Sequence, residues 1–284
     1  MGQHPDSGPE SLNAHADRKP QPMNEVNRTL YIPLFGKARV SRRGIILDDP
    51  KAEQIWASEG FPVRGKSASG WPALNMAMRA KVFDEWTEHM LEGNENALVL
   101  QIGCGLDSRC ERVKAPRRDW IDCDLPDVIP LRRKYYQETD RYHMVSLDAS
   151  NPEQLGRLPS NDTIIVILEG LCMYLTDEQL RGLLHALRTK ASRLHVLMDV
   201  YTVFGAKASR YGNPVNGVGV KKLYGIDEPE TFLAGPSLRV RAEHSMTPDH
   251  LVGQLKLCER FIFRTLFSER LCWKFYRLYE LESF

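Results

Sequence analysis

Between residues 97 and 168 the sequence repeats one device four times: a short apolar run, closed at once by a polar or glycine-bearing turn. The runs are Ala97 to Ile102, Trp120 to Cys123, His143 to Leu147 and Thr163 to Leu168, and a fifth, Leu194 to Val200, follows. Runs of this kind suit parallel strands covered on both faces. Between the fourth and fifth lies Asp177 to Thr189, where Leu180, Leu183, Leu184 and Leu187 share one helical face. Strands that alternate with helices build a doubly wound sheet whose ligands sit at the carboxyl ends of the strands. The expected fold class is α/β, with a mostly parallel, Rossmann-like sheet.

The flanks complete a single-domain plan over residues 25–284. Residues 1–24 are rich in Pro, Ser, Asn, Asp and His, too poor in large apolar side chains to offset the entropy of ordering, and are expected to be a disordered tail. Residues 25–92 read as an amino-terminal helical cap. Arg28 to Leu34 gains apolar content, Asp48-Asp49-Pro50 opens a segment with Ala52, Ile55 and Trp56, and a longer helix runs from Pro72 to Leu91. Residues 93–204 form the ligand-binding core, and the Gly- and Pro-rich stretch 205–245 reads as a substrate-cap insertion. Residues 246–284 finish the sheet: Pro248 to Arg260 as a helix, then Phe261 to Phe267 and Cys272 to Leu281 as strand candidates. Pro126 to Tyr136 is expected to be a helix.

Charge and cysteine usage narrow the function. Lys plus Arg total 38 against 37 for Asp plus Glu, leaving no general positive field for a phosphate backbone, so no nucleic-acid partner is expected. Cys104, Cys110, Cys123, Cys172, Cys258 and Cys272 include no CxxC pair, which points to reduced thiols and no metal site. No run approaches the ~20 apolar residues of a membrane span, and no basic-then-apolar leader opens the chain. A soluble, cytoplasmic protein with no membrane partner is expected; oligomeric state is not legible.

The chemistry gathers at strand ends. The first run closes in Gly103-Cys104-Gly105, where two glycines let the backbone turn sharply and approach a ligand. Ser108 stands where dinucleotide binders place a third glycine, which lowers the odds of NAD. The second run ends in Asp122-Cys123-Asp124, at the distance from the glycine loop where a ribose diol is gripped; Asp124, nearer the open end, is preferred to Asp122. Capping of the following helix is the alternative role for either acid. Asp148-Ala149 and Glu169-Gly170 close the third and fourth runs, so one sheet edge receives a glycine loop and three acids.

Five stretches carry a resemblance: Thr29 to Leu34, Asp48-Asp49-Pro50, Gly103 to Arg109, Asp122 to Pro126 and Glu169 to Leu175. In this order they resemble the leucine carboxyl methyltransferase family, which includes bacterial O-methyltransferases of polyketide biosynthesis. The resemblance covers roughly residues 28–205. It implies a class I methyltransferase fold, seven strands with the final one antiparallel, and S-adenosylmethionine as methyl donor and cofactor. By motif, Arg79 matches the arginine that pairs with the methionine carboxylate, and Lys37 lies near a second carboxylate-binding cation. Gly103 and Gly105 would lie along the methionine part, Asp124 would hold the ribose, Asp148 and Ala149 would border the adenine, and Glu169 would face the amino group or sulfonium. Two positions depart from the family: Ala80 follows Arg79 where threonine is common, and Cys104 replaces a small residue.

The resemblance favours carboxyl methylation of a small polyketide-like or peptide-like metabolite. An ionised carboxylate needs alignment and desolvation but no base, whereas a hydroxyl acceptor calls for one. Tyr201 and His244 are the candidate acid–base residues, while His143 and His195 lie in expected buried strands. Tyr31, Met173, Tyr174 and the stretch from Tyr201 to Tyr211 are the candidate substrate contacts, with Lys221-Lys222 and Arg239 to Arg241 as basic stretches able to attract an anion. An NAD-dependent oxidoreductase, a hydroxyl O-methyltransferase and a non-catalytic sensor or scaffold are the alternatives.

Overall fold

The computed structural model describes residues 30–59, 70–114, 118–209, 224–233, 237–266 and 269–284. The expected tail, Tyr211 and Lys221-Lys222 fall outside them. Seven strands form one sheet: β1 Leu98–Ile102, β2 Asp119–Asp124, β3 Tyr142–Ser146, β4 Asn161–Leu168, β5 Ala191–Tyr201, β6 Leu238–His244 and β7 Tyr276–Ser283. Their order is β3-β2-β1-β4-β5-β7-β6, parallel from β3 through β5, with β7 antiparallel to both β5 and β6.

The apolar runs explain the central order. All five residues of β1 are buried, as are the last six of β4, so these strands need cover on both faces. Five helices of ten or more residues are described: α1 Tyr31–Ser41, α2 Pro50–Glu59, α3 Gly70–Glu92, α4 Asp177–Arg188 and α5 Leu257–Leu266. On one face, α4 buries Leu180, Leu183, Leu184 and Leu187. Thr176 and Gln179 form a capping box at its start, satisfying two backbone amides that the helix leaves unpaired. On the other face, α3 buries Leu74, Ala77, Met78, Phe83 and Trp86. Each large side chain so buried contributes about 1.5–3 kcal/mol. The cap helix α1 packs on α3, which places the start of the described chain over the sheet edge. Asp49 fastens the cap: its carboxylate accepts the Ala52 amide at 2.9 Å at the head of α2 and meets Arg112 at 2.6 Å.

Several expectations change. Phe261 to Leu266 belongs to α5 rather than to a strand, because Phe263 alone of Phe261, Ile262 and Phe263 turns inward, whereas Phe261 is 73% exposed. The helix expected over Pro248 to Arg260 is divided into a short turn, Asp249–Val252, and the start of α5. The helix expected over Pro126 to Tyr136 is helical only at Ile129–Arg132. Within the stretch read as an insertion, Leu238–His244 is the edge strand β6, paired to β7 through a register shift between Val240 and Ala242. His143 is exposed because β3 ends the sheet. His195 is half-buried, and its Nδ1 has no partner among the described residues.

Among the described residues no helix is long and apolar enough to cross a membrane. Nor does any group of three or more His, Cys, Asp or Glu among them stand ready to hold a metal ion.

Candidate active site

Strand order reverses between β1 and β4: β2 and β3 lie to one side and β5 to the other. The two loops leaving such a switch point diverge and open a crevice. Here the carboxyl ends of the strands, together with α1 and the start of α3, enclose a cavity of about 630 Å³.

The glycine loop forms one wall. Gly103 takes φ +74° and donates its amide to Cys123 O at 2.8 Å; Gly105 takes φ +52° and donates to Asp124 Oδ2 at 2.6 Å. Both angles lie in the left-handed region that L side chains avoid. Space is also short, since a Cβ on Gly105 would stand 3.1 Å from Leu30 Cδ2. Asp124 Oδ1 accepts the Leu125 amide at 2.7 Å, and the acid lines the cavity. Burial pushes its carboxyl upward more strongly than the two amides lower it. Asp122 does not line the cavity: fully buried, it bonds Arg132, Tyr142 at 2.7 Å and Trp120 Nε1 at 2.8 Å. Two positions apart on β2, one acid lines the cavity and the other is tied into the buried structure.

Behind the opposite wall lies an ion-pair network. Arg79 of α3 donates from Nε to Glu169 at 3.1 Å and from Nη1 to Asp199 at 2.9 Å and Tyr276 Oη at 3.1 Å. Arg109, fully buried, joins Glu169 at 2.5 Å to Asp84 at 2.7 Å. Arg112 links Asp49, Asp84 and Asp107, and Lys37 pairs with Asp107. Burial alone would favour the neutral acids, yet the cations prevail at two of them. Arg112, Lys37 and Arg109 hold Asp107 well below the usual range, and Arg109, Arg79 and Lys37 hold Glu169 at about 2. Four cations thus face five carboxylates, so the network carries surplus negative charge and suits a ligand with a positive centre. Two buried polar atoms in this region lack partners among the described residues, Gln101 Oε1 on the cavity wall and Arg109 Nη1. Buried orphans of this kind are costly.

The cavity gathers nearly every residue singled out from the sequence. Arg79, Gly103, Gly105, Asp124, Asp148, Ala149, Glu169, Lys37, Met173, Tyr174 and Tyr201 all line it. Asp148 accepts from the Ser150 amide at 2.9 Å and hydroxyl at 2.7 Å through Oδ1. Two residues fall elsewhere. Tyr31, the first residue of α1, is fully buried and donates to Glu59 at 2.6 Å, because its position on the helix turns it toward the cap interior. His244 is on β6, 2.7 Å from Glu280 of β7, and is absent from the cavity wall. Arg239 and Arg241 likewise pair with Glu282 and Glu280 on the sheet.

Sequence reasoning passed over Asp199, Tyr276, Arg109 and Asp107. Asp199 lies near the carboxyl end of β5, inside the apolar run Leu194 to Val200, and a carboxylate interrupting a buried run is the signal that marks it. Arg109 and Asp107 sit inside the quoted glycine-loop string. Tyr276 has no local signal, since it reaches the cavity only through the antiparallel pairing of β7 with β5.

Comparison with known proteins agrees with this arrangement. The family described as leucine carboxyl methyltransferase matches residues 34–188, more than half of the chain. The chain is 29% identical over 244 residues to the tetracenomycin polyketide synthesis O-methyltransferase TcmP of Streptomyces glaucescens, covering 84% of this chain and 89% of that relative. It is 28% identical over 244 residues to the S-adenosyl-L-methionine-dependent methyltransferase dpfgK of Gibberella zeae, covering 76% and 81%. Among solved structures, magnesium protoporphyrin IX methyltransferase from Synechocystis, with bound SAH, superposes with a TM-score of 0.50 at 11% identity, over 91% of this chain and 100% of that one. That likeness establishes the α/β fold of the class I methyltransferases. With the matching stretch running from the cap through the glycine loop and strand-end acids to α4, the chain belongs to the leucine carboxyl methyltransferase family.

Proposed function

We propose that this chain transfers a methyl group from S-adenosylmethionine to a carboxylate oxygen of a small, largely apolar metabolite. The observation that carries the reading is the convergence, on one cavity, of Asp124 beside the glycine loop and Arg79 beside Glu169. The residues fit the donor. Asp124 keeps lone pairs for a ribose diol, Asp148, Ala149, Leu125 and Val128 surround a slot for a purine, and Arg79 Nη2 bonds none of the described residues. A guanidinium nitrogen so placed suits a carboxylate, and the surplus negative charge suits a sulfonium. When bound, S-adenosylmethionine supplies an electrophilic methyl group on that sulfonium.

The remaining work falls to the protein. Ile32, Pro33, Pro72, Met76, Met173 and Met246 present apolar surface to the cavity, which strips water from an acceptor and raises its nucleophilicity. Tyr174 and Tyr201 supply rings against which a flat acceptor is aligned. A carboxylate, ionised at neutral pH, gives up no proton in the reaction, so no base is required. The polyketide O-methyltransferase among the relatives supports a small-molecule acceptor.

A second reading, methylation of a hydroxyl, is favoured by one observation: Asp199, whose carboxyl burial pushes upward, accepts the hydrogen bond of the cavity-lining Tyr276 phenol at 2.5 Å and is a proton acceptor beside the cavity. The test is to incubate the full chain with methyl-labelled donor and a panel of aromatic carboxylic acids and phenols. Label released by mild alkali identifies an ester; label that resists alkali identifies an ether and overturns the carboxylate assignment. Label transferred to no acceptor, with S-adenosylhomocysteine still bound, identifies a sensor or scaffold.

A further inference from the structure

Tyr276 enters the cavity wall from a part of the sequence remote from every other residue of the site. Its hydroxyl donates to Asp199 Oδ2 at 2.5 Å and accepts from Arg79 Nη1 at 3.1 Å, while Arg79 Nη1 itself donates to Asp199 Oδ2 at 2.9 Å. Phenol, guanidinium and carboxylate therefore close a triangle. The triangle is anchored on every side. Asp199 Oδ1 accepts the Gly170 amide at 2.6 Å, Arg79 Nε is held by Glu169, and the Tyr276 ring meets Tyr201 edge-on with centroids 4.8 Å apart.

A free arginine side chain loses rotamer entropy when it grips a ligand unless the protein has already fixed it. Here two of the three guanidinium nitrogens are fixed. The third, Nη2, stands 3.5 Å from the point a Cβ on Gly170 would occupy, beside the turn that ends β4 at the cavity. Glu169 alone holds the guanidinium at one nitrogen and leaves it free to pivot; the Asp199–Tyr276 pair supplies the second point that stops rotation. Burial, reinforced by the Asp199 carboxylate, pushes the phenol far above its ordinary pKa, so it stays a donor throughout the working pH range.

We propose that Tyr276 is a positioning residue: by locking Arg79 Nη1 onto Asp199 it keeps Nη2 aimed at the carboxylate of the methyl donor, and so sets selectivity for the donor's amino-acid end. This rests on the reading that Arg79 grips that carboxylate.

The experiment compares two ligands that share an adenosine and a thioether but differ in that end. S-adenosylhomocysteine carries the amino-acid group; 5′-methylthioadenosine lacks it. Isothermal titration of the full chain is expected to show the wild type preferring S-adenosylhomocysteine. In Tyr276→Phe, affinity for S-adenosylhomocysteine is expected to fall roughly tenfold, the size of one lost charge-assisted hydrogen bond, while affinity for 5′-methylthioadenosine stays within about twofold. If both ligands weaken together, or the ratio of the two dissociation constants keeps its wild-type value, Tyr276 is only a packing residue and the proposal is overturned. If the wild type itself shows no preference, the Arg79 reading fails, and the proposal with it. Should Tyr276→Phe prove too unstable to titrate, Tyr276→Met, which fills the space with a flexible side chain, carries the same prediction.

Discussion

Asp124 Oδ2 accepts the Gly105 amide at 2.6 Å, so the acid proposed to hold the ribose also fixes the glycine turn of the cavity wall. Substituting Asp124→Ala removes both functions. Two charge-assisted hydrogen bonds to a diol are worth ~1.5–3 kcal/mol each, and S-adenosylhomocysteine affinity is expected to fall about 100-fold or more by isothermal titration. Asp124→Asn, which keeps an acceptor for Gly105, is expected to lose less. Unchanged affinity in Asp124→Ala would remove Asp124 from the ligand site.

Arg109 is a fully buried cation bonded to two carboxylates, Asp84 and Glu169. Cutting it to Arg109→Met removes one of the two cations that hold each acid, Asp84 keeping Arg112 and Glu169 keeping Arg79, and leaves the buried network short of one positive charge, a loss of ~3–5 kcal/mol in buried networks of this kind. Thermal unfolding is expected to shift down by about 10 °C or more. By contrast, Arg239→Ala, which breaks an exposed pair with Glu282, is expected to cost less than ~1 kcal/mol. A small shift for Arg109→Met would mean that the network relaxes around the missing charge.

The depressed pKa of Glu169 makes stability depend on pH. Folded, its carboxyl titrates at about 2 rather than 4.5, because Arg109, Arg79 and Lys37 together outweigh burial. The folded state thus binds the proton less readily than the unfolded one. The stabilisation is complete above the unfolded value of 4.5 and is lost as pH falls through that value toward about 2. Urea unfolding of Glu169→Gln between pH 5 and pH 3 is expected to show a shallower decline than the wild type. Parallel declines would show that Glu169 contributes nothing to the acid limb.

Tyr174 is 37% exposed at the cavity wall and follows Met173, whose carbonyl accepts the Tyr224 amide at 2.9 Å. Tyr174→Ala is expected to raise KM for the acceptor about fivefold to tenfold, the magnitude of one lost aromatic contact, and to leave the dissociation constant for S-adenosylhomocysteine within twofold. Steady-state kinetics with the acceptor found by the product test, alongside titration, separates the two. A matched loss of donor affinity would place Tyr174 on the donor side instead.

Legibility of the fold tracked burial. β1 and β4 were plain because central strands are apolar along their length, and α4 because four leucines repeat on one face. β6 reads as cap in the sequence because an edge strand, Leu238–His244, alternates buried or half-buried residues with exposed Arg and Glu and lacks the apolar density of a central one. Part of α5 resembles a strand in the sequence because Phe261, Ile262 and Phe263 run together, although only Phe263 of the three is buried. The site divides on the same physical grounds. Gly103, Gly105, Asp124 and Glu169 are tied to strand ends that the sequence marks, whereas Tyr276 meets Arg79 across 197 positions of chain and Tyr31 turns inward on a helix whose residues are buried nearly all round.

Strand β7 lies between β5 and β6 although it follows both in the chain. Among the described residues β6 pairs with no other strand, so it joins the sheet only once β7 is in place, and the flank of β5 stays open for as long. Because Arg79 receives its phenolic partner from that same late element, completion of the cavity wall is coupled to the longest-range strand pairing of the sheet, β5 with β7. The wall that carries Arg79 is therefore finished only in a chain whose last strand is in place.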